Sequence, residues 1–312
     1  MKFKKNILLK NYTTFRIGGP AEFFFEAKTK EDLIGAVNLA KEKNLPFFIL
    51  GGGSNLLVSD KGYKGVVINF QLSSFVIEKN KIIIGAGARL AKLVNFGLEW
   101  AAGIPGTIGG AIYGNAGAFG ESMENEVKSV EIFDSRTGKI KIFKNRDCQF
   151  GYRRSIFKNP EGDASRPYGA GKKNLIILSA EIKKGKSNLK RIKEYLYYRK
   201  QRHPQLPSAG SVFKNFQFSI FNFQTLIKEF PDFEQFKETR KVPAALLILK
   251  CGLSGKKIGQ AQISEKHSNF IVNPGNAEAK DVIKLINFVK RTVKKKFKVL
   301  LKEEIQYLGF KN

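Results

Sequence analysis

Gly103-Ile-Pro-Gly-Thr-Ile-Gly-Gly-Ala-Ile-Tyr-Gly-Asn-Ala-Gly-Ala-Phe-Gly120 places seven glycines in eighteen residues, and Gly51-Gly-Gly-Ser-Asn55 forms a second cluster upstream. Without a Cβ, glycine accepts positive φ and lets bare backbone N–H groups close around an anion, so such loops can wrap a pyrophosphate. Turns between strands are the plainer reading, but ordinary turns need one or two glycines. Two glycine-rich turns in one domain point to one large ligand.

The flanking sequence shows how these loops are delivered. Thr29-Lys-Glu-Asp32 is a capping box that opens an amphipathic helix with Leu33, Ala36, Val37 and Ala40 on one face. Leu45-Pro-Phe-Phe-Ile-Leu50 then reads as a strand running straight into Gly51, and Gly65-Val-Val-Ile-Asn-Phe70 as the next. Phe75–Glu78 with Ile82–Ile84, and Val130–Phe133 with Ile140–Phe143, pattern as hairpins. Leu90–Trp100 is expected to be a helix and Asn174–Ile182 a strand. The many short strands and hairpins argue for an α+β unit against an all-parallel nucleotide fold. A lysine-rich helix, Leu189–Gln201, leads to Pro204–Pro207 as the boundary of a second unit. There the helix Glu278–Phe297 aligns Val282, Ile286, Val289, Val293 and Phe297 opposite Lys284, Arg291, Lys294 and Lys295, as a surface helix does.

The 312 residues are comfortable as two or three packed units. Cys148 and Cys251 match no metal or redox spacing and read as reduced, packed thiols of a cytosolic protein, with no metal site. The apolar stretch after Met1 ends at Leu9, short of a signal peptide. The longest apolar run, Ala244–Leu249, falls far below the roughly 20 residues of a membrane helix. The net charge of +28 invites a nucleic-acid role, yet the lysines are spread along the chain instead of forming one arginine-rich stripe. An anionic small molecule is the favoured partner.

Neither Gly51-Gly-Gly-Ser-Asn-Leu56 nor Gly85-Ala-Gly-Ala-Arg-Leu90 completes a Rossmann fingerprint, and no P-loop pattern occurs. His203 and His267 are the two histidines; neither lies in a nucleophile-elbow context, and each reads as a surface or supporting group.

Taken together, Tyr12-Thr-Thr-Phe-Arg-Ile-Gly-Gly-Pro-Ala21, Gly51–Val58 and Gly103–Ala111 with Asn115-Ala-Gly117 resemble the flavin-binding part of the UDP-N-acetylenolpyruvoylglucosamine reductase family. Tyr152-Arg-Arg-Ser155, Pro207–Asn215, Gly259–Ser264 with His267–Asn273, and Leu301–Ile305 match its remaining motifs in order. The resemblance implies a two-lobed FAD-binding domain of the vanillyl-alcohol-oxidase type (residues 1–72 and 73–186) and a C-terminal α+β substrate-binding domain (187–312). It implies non-covalent FAD, NADPH as reductant and a UDP-sugar enolpyruvate substrate, in a cytoplasmic monomer without membrane or nucleic-acid partners.

By motif position, FAD falls to Gly51, Gly52, Gly53, Ser54, Asn55, Leu56, Pro105, Gly106, Thr107, Gly109, Gly110, Asn115, Ala116 and Gly117. Arg153 corresponds to the cation that stabilises an enolate, Ser211 to the proton donor and Glu304 to the acid that polarises the substrate carboxylate; Tyr152, Asn215 and Gln262 correspond to substrate contacts. With no Rossmann domain, nicotinamide is expected to dock where the enolpyruvyl group later sits, giving ping-pong turnover. The chain departs from the family at Phe216, where a proline is usual, at Ser254 and Gln306, and in an apparent aromatic-rich insertion, Phe216–Lys241. A sugar-alcohol or lactone oxidase of the same fold, a basic nucleic-acid or anionic-polymer binder, and an inactive flavoprotein stand as alternatives.

Overall fold

Asp32 N–H donates to Thr29 Oγ1 at 3.0 Å and Thr29 N–H to Asp32 Oδ2 at 3.1 Å, so the capping box closes and starts the helix Lys30–Glu42. Leu33, Ala36, Val37 and Ala40 are fully buried on one face of it. The computed structural model in which these contacts occur describes residues 1–158, 175–218 and 226–310. Asn174 and residues 219–225 of the expected insertion lie outside the described residues.

That helix crosses between parallel strands of the first sheet, whose spatial order is Lys4–Leu8, Pro20–Ala27, Tyr63–Phe70, Phe47–Leu50. The outer pair Lys4–Leu8 and Pro20–Ala27 is antiparallel and the other two pairings are parallel. Phe47–Leu50 therefore ends at the sheet's edge pointing directly into Gly51. A second sheet is wholly antiparallel, in the order Lys139–Lys144, Val127–Asp134, Leu175–Lys183, Lys81–Gly85, Phe75–Ile77. Both expected hairpins are present in it. The first two sheets share one hydrophobic core, which includes Val37, Ile68, Ile84, Trp100 and Ile132.

Leu90–Trp100 does not form the expected single helix. It breaks into two 3-10 turns, Leu90–Phe96 and Glu99–Ala101, separated by Gly97 at φ 96°. The cause is tertiary: a Cβ on Gly97 would lie 2.8 Å from the Cα of Gly185, whose N–H donates to Phe96 O at 2.8 Å. Periodicity along 90–100 carries no trace of that contact.

The lysine-rich helix runs Leu189–Arg202 and leaves none of its side chains fully buried. Beyond it, an antiparallel sheet ordered Ser208–Ser211, Phe270–Val272, Ala261–Ile263, Lys257–Ile258 packs on the helix Ala279–Phe297. Val282, Ile286, Val289, Val293 and Phe297 of that helix are buried as the sequence predicts, and Leu285 joins them. This second core also takes in Phe15, Ile17 and Leu57 from the amino-terminal part of the chain. Gln306–Leu308 returns to pair in parallel with Leu56–Val58, immediately after the first glycine loop.

Candidate active site

The two glycine clusters meet backbone to backbone. An ideal Cβ on Gly52 would stand 2.7 Å from the Cα of Gly106, and one on Gly51 would stand 2.5 Å from Thr107 Oγ1. Ser54 Oγ donates to Pro105 O at 3.2 Å and ties the loops together. Thr107 then caps the helix Ile108–Gly114, accepting from Gly110 N–H at 3.4 Å. A Cβ on Gly114 would meet no atom within 4 Å, so the bare backbone there opens on a cavity.

That cavity measures about 1670 Å³. Single small ligands fill roughly 300–1,000 Å³, so this volume suits a dinucleotide together with a second substrate. Its lining includes Gly51–Leu56, Pro105–Thr107, Gly109, Gly110, Ala116 and Gly117, and also Tyr152, Arg153, Ser211, Asn215 and Glu304. Residues that the glycine loops suggest for a pyrophosphate thus line one space with residues from three distant segments.

Two motif residues lie off the cavity wall. Asn115 is buried at φ 43°, where its amide donates to Gly151 O at 2.9 Å and to Glu124 Oε2 at 3.1 Å while its oxygen accepts from Glu124 N–H at 3.0 Å. It terminates the glycine helix and anchors the turn that carries Arg153. Gln262 lies in the strand Ala261–Ile263 and donates to Gly255 O at 3.3 Å.

Arg153 sits on a tight turn closed by reciprocal 3.0 Å backbone bonds between Gly151 and Arg154. Its φ of 55° is left-handed, a conformation that costs a non-glycine residue on the order of 1 kcal/mol or more. Its Nε lies 2.7 Å from Glu304 Oε1, with the two side chains 23 % and 17 % exposed. Burial raises the Glu304 carboxyl above the ordinary carboxylate range, against the opposing pull of Arg153, Lys158 and Lys214.

Ser211 reaches the same place through backbone pairing. Val212 O accepts from Glu304 N–H at 2.7 Å, and Lys214 N–H donates to Lys302 O at 2.9 Å, so segments 212–214 and 302–304 run side by side. Gly210 at φ 77° coincides with a register shift between Ser208 and Ser211, a local bulge that re-aims the strand end. Asn215 N–H donates to Tyr152 OH at 3.2 Å, joining this wall to the Arg153 turn.

Four groups here escape the sequence reading. Lys158 is buried, and burial together with neighbouring positive charge lowers it to about 8. Asn269 is buried and bonds Phe213 twice, accepting from its N–H at 2.9 Å and donating to its C=O at 2.8 Å. His203 and His267 are not surface groups: they are half-buried on the cavity wall, ring centroids 5.5 Å apart, both packed on Phe270. Burial holds both below the usual imidazole range, His203 at about 4. A lysine five residues after Arg153 carries no local signal in a lysine-rich chain, and a cluster of four rings packed edge to face or tilted, with Tyr198 at its margin, exists only in three dimensions.

Comparison with known proteins finds relatives over essentially the whole chain. The profile of an FAD binding domain matches residues 21–144, and that of the UDP-N-acetylenolpyruvoylglucosamine reductase C-terminal domain matches 201–308. The UDP-N-acetylenolpyruvoylglucosamine reductase of Clostridium novyi is 37% identical over 99% of this chain and 92% of its own. That of Petrotoga mobilis is 39% identical over 96% of this chain and 93% of its own. A crystal structure of the Thermus caldophilus UDP-N-acetylenolpyruvylglucosamine reductase superposes with a TM-score of 0.74 at 31% identity, covering 99% of both chains. With relatives of this identity over essentially its whole length, and a cavity that joins the glycine loops to Arg153, Ser211 and Glu304, the chain belongs to the UDP-N-acetylenolpyruvoylglucosamine reductase family.

Proposed function

We propose that this protein reduces UDP-N-acetylglucosamine enolpyruvate to UDP-N-acetylmuramate in peptidoglycan synthesis, with FAD as bound cofactor and NADPH as reductant. The observation that carries the reading is the Arg153–Glu304 pair, lining one cavity together with two interlocked glycine loops. Gly51–Asn55 and Gly106–Gly110 would hold the FAD pyrophosphate through backbone N–H groups; neither loop contains a cysteine or histidine that could attach it covalently. When bound, FAD supplies the hydride.

The chain's own groups manage the charge and the proton. As the methylene carbon gains hydride, negative charge collects at the carboxylate-bearing carbon and its acid group, where the Arg153 guanidinium stabilises it in a partly dry site. Glu304, with its proton affinity raised by burial, hydrogen-bonds the substrate carboxylate and polarises it. Ser211, on the strand paired through Val212 to Glu304, delivers the proton to the carboxylate-bearing carbon. Tyr152 and Asn215 are assigned substrate contacts from the cavity wall, and Gln262, which lies off that wall, is carried as a substrate contact by its motif alone.

A division at residues 72 and 186 into two cofactor lobes and a substrate lobe fits this chemistry, since the first two sheets flank the glycine loops and the third carries Ser211. We place the reaction in the cytoplasm and treat the protein as a monomer, every proposed group coming from one chain. Among the described residues no helix is long and apolar enough to cross a membrane. The single cleft over the glycine loops favours alternating use by NADPH and the enolpyruvyl nucleotide, hence ping-pong kinetics. The test is anaerobic bleaching of the flavin by NADPH followed by mixing with the enolpyruvyl nucleotide. Return of the yellow colour is expected; flavin that stays bleached would refute the substrate assignment.

A further inference from the structure

Lys158 is 8% exposed, beneath the turn that carries Arg153. A buried ammonium is costly unless specific partners hold it. Its Nζ donates to the Arg153 carbonyl at 3.5 Å, and among the described residues the charges acting on it are the Lys214 ammonium, the Glu304 carboxyl and the Arg153 guanidinium. The backbone that carries Lys158 is itself pinned: Ser155 Oγ donates to Tyr113 O at 2.7 Å, Ile156 N–H to Cys148 O at 2.8 Å and Lys158 N–H to Ser155 O at 3.2 Å. A cation on a pinned backbone therefore meets the carbonyl of the one residue in this turn that holds a left-handed conformation.

Resting on the function proposed above, we infer that Lys158 is a positioning residue for the reduction. Its ammonium grips the Arg153 carbonyl and keeps the strained turn in the geometry that aims the guanidinium at Glu304. Strain of this kind persists only where the surroundings over-determine it, and Lys158 provides that restraint from inside. The ammonium also adds a second positive charge near the place where the substrate carboxylate would gain negative charge. Methionine at this position would fill the same space without holding the carbonyl. Arginine would hold it without titrating.

Because burial brings Lys158 down to about 8, the grip weakens as pH rises past that value. The experiment uses full-length, FAD-loaded enzyme and follows flavin absorbance through both half-reactions from about pH 6 to about pH 10. In wild type, recolouring by the enolpyruvyl nucleotide is expected to slow above about pH 8. Lys158→Met should bleach normally with NADPH but recolour about 10- to 100-fold more slowly. Lys158→Arg should recolour near the wild-type rate and lose the alkaline decline.

Lys158→Met recolouring at the wild-type rate, or Lys158→Arg retaining the decline, overturns the inference. Should Lys158→Met fail to retain FAD, the Lys158→Arg profile decides alone. Wild type that bleaches but never recolours overturns the functional reading and takes this inference with it, whereas normal wild-type turnover with indifferent variants removes only the role of Lys158.

Discussion

The side-chain amide of Asn55 donates to the backbone carbonyl of Glu304 at 3.2 Å, across 249 residues of sequence. Gln306 N–H answers by donating to Asn55 O at 2.9 Å. The first glycine loop and the buried acid are thus one mechanical unit. Cofactor binding and the placement of Glu304 should respond together to a change at either end.

Asn55→Ala removes the amide that bridges them. A lost hydrogen bond of this kind is worth about 1 kcal/mol, so FAD affinity should fall about five-fold and recolouring by the enolpyruvyl nucleotide should slow in parallel. Flavin fluorescence titration and stopped-flow absorbance measure the two effects. Weakened FAD binding with an unchanged recolouring rate would show that the link carries nothing to Glu304.

Gly52→Ala should be harsher, because its Cβ has no space against Gly106. The loops must part for it to fit. We expect apoprotein that remains folded by circular dichroism yet is isolated colourless. Stoichiometric yellow protein would mean that the contact between the loops is not needed for the cofactor.

Arg153→Ala and Ser211→Ala should separate the half-reactions. Both should leave bleaching by NADPH close to wild type while slowing recolouring by at least about 100-fold, the size of typical electrostatic and acid–base contributions. Equal slowing of both half-reactions would remove these roles.

Asn269→Ala leaves the Phe213 N–H and C=O without their buried partner. Leaving such groups unsatisfied costs about 1–3 kcal/mol each, so urea unfolding should show a loss of about 2–6 kcal/mol for the two. Because the same pairing steadies the segment between Ser211 and Asn215, recolouring should suffer as well.

Burial, with Arg199 and His267 nearby, holds folded His203 at about 4 instead of 6.5. As pH falls from 6.5 the unfolded chain takes up the proton first, so stability present above 6.5 drains away toward about 4. Urea midpoints at about pH 7 and about pH 5 should therefore differ more for wild type than for His203→Gln. An equal difference would place the acid sensitivity elsewhere.

What the sequence made legible was local. The helix Lys30–Glu42 follows from a capping box and a 3.6-residue period, both contained within its own span. The glycine loops are readable because a missing Cβ is a local demand, and the hairpins because alternation and turn residues coincide. Leu90–Trp100 departs from its helical periodicity because Gly97 answers to Gly185, a partner that the sequence does not announce. Lys158, Asn269 and the His203–His267 pair acquire their character from burial and from distant neighbours, so composition alone leaves them indistinguishable from surface groups. Asn115 illustrates the reverse: its motif is plain, but its amide is spent on the backbone of Gly151 and Glu124.

The pairing of Gln306–Leu308 with Leu56–Val58 has a consequence for biosynthesis. During translation the Gly51–Asn55 loop emerges early, but its hydrogen-bonding partners at Glu304 and Gln306 are made some 250 residues later. At the ~5–20 residues per second of synthesis, the nascent loop waits many seconds before it can be locked. Capture of the coenzyme in its finished form thereby has to await synthesis of residues 304–308, and a truncated polypeptide lacking them would be unable to complete it.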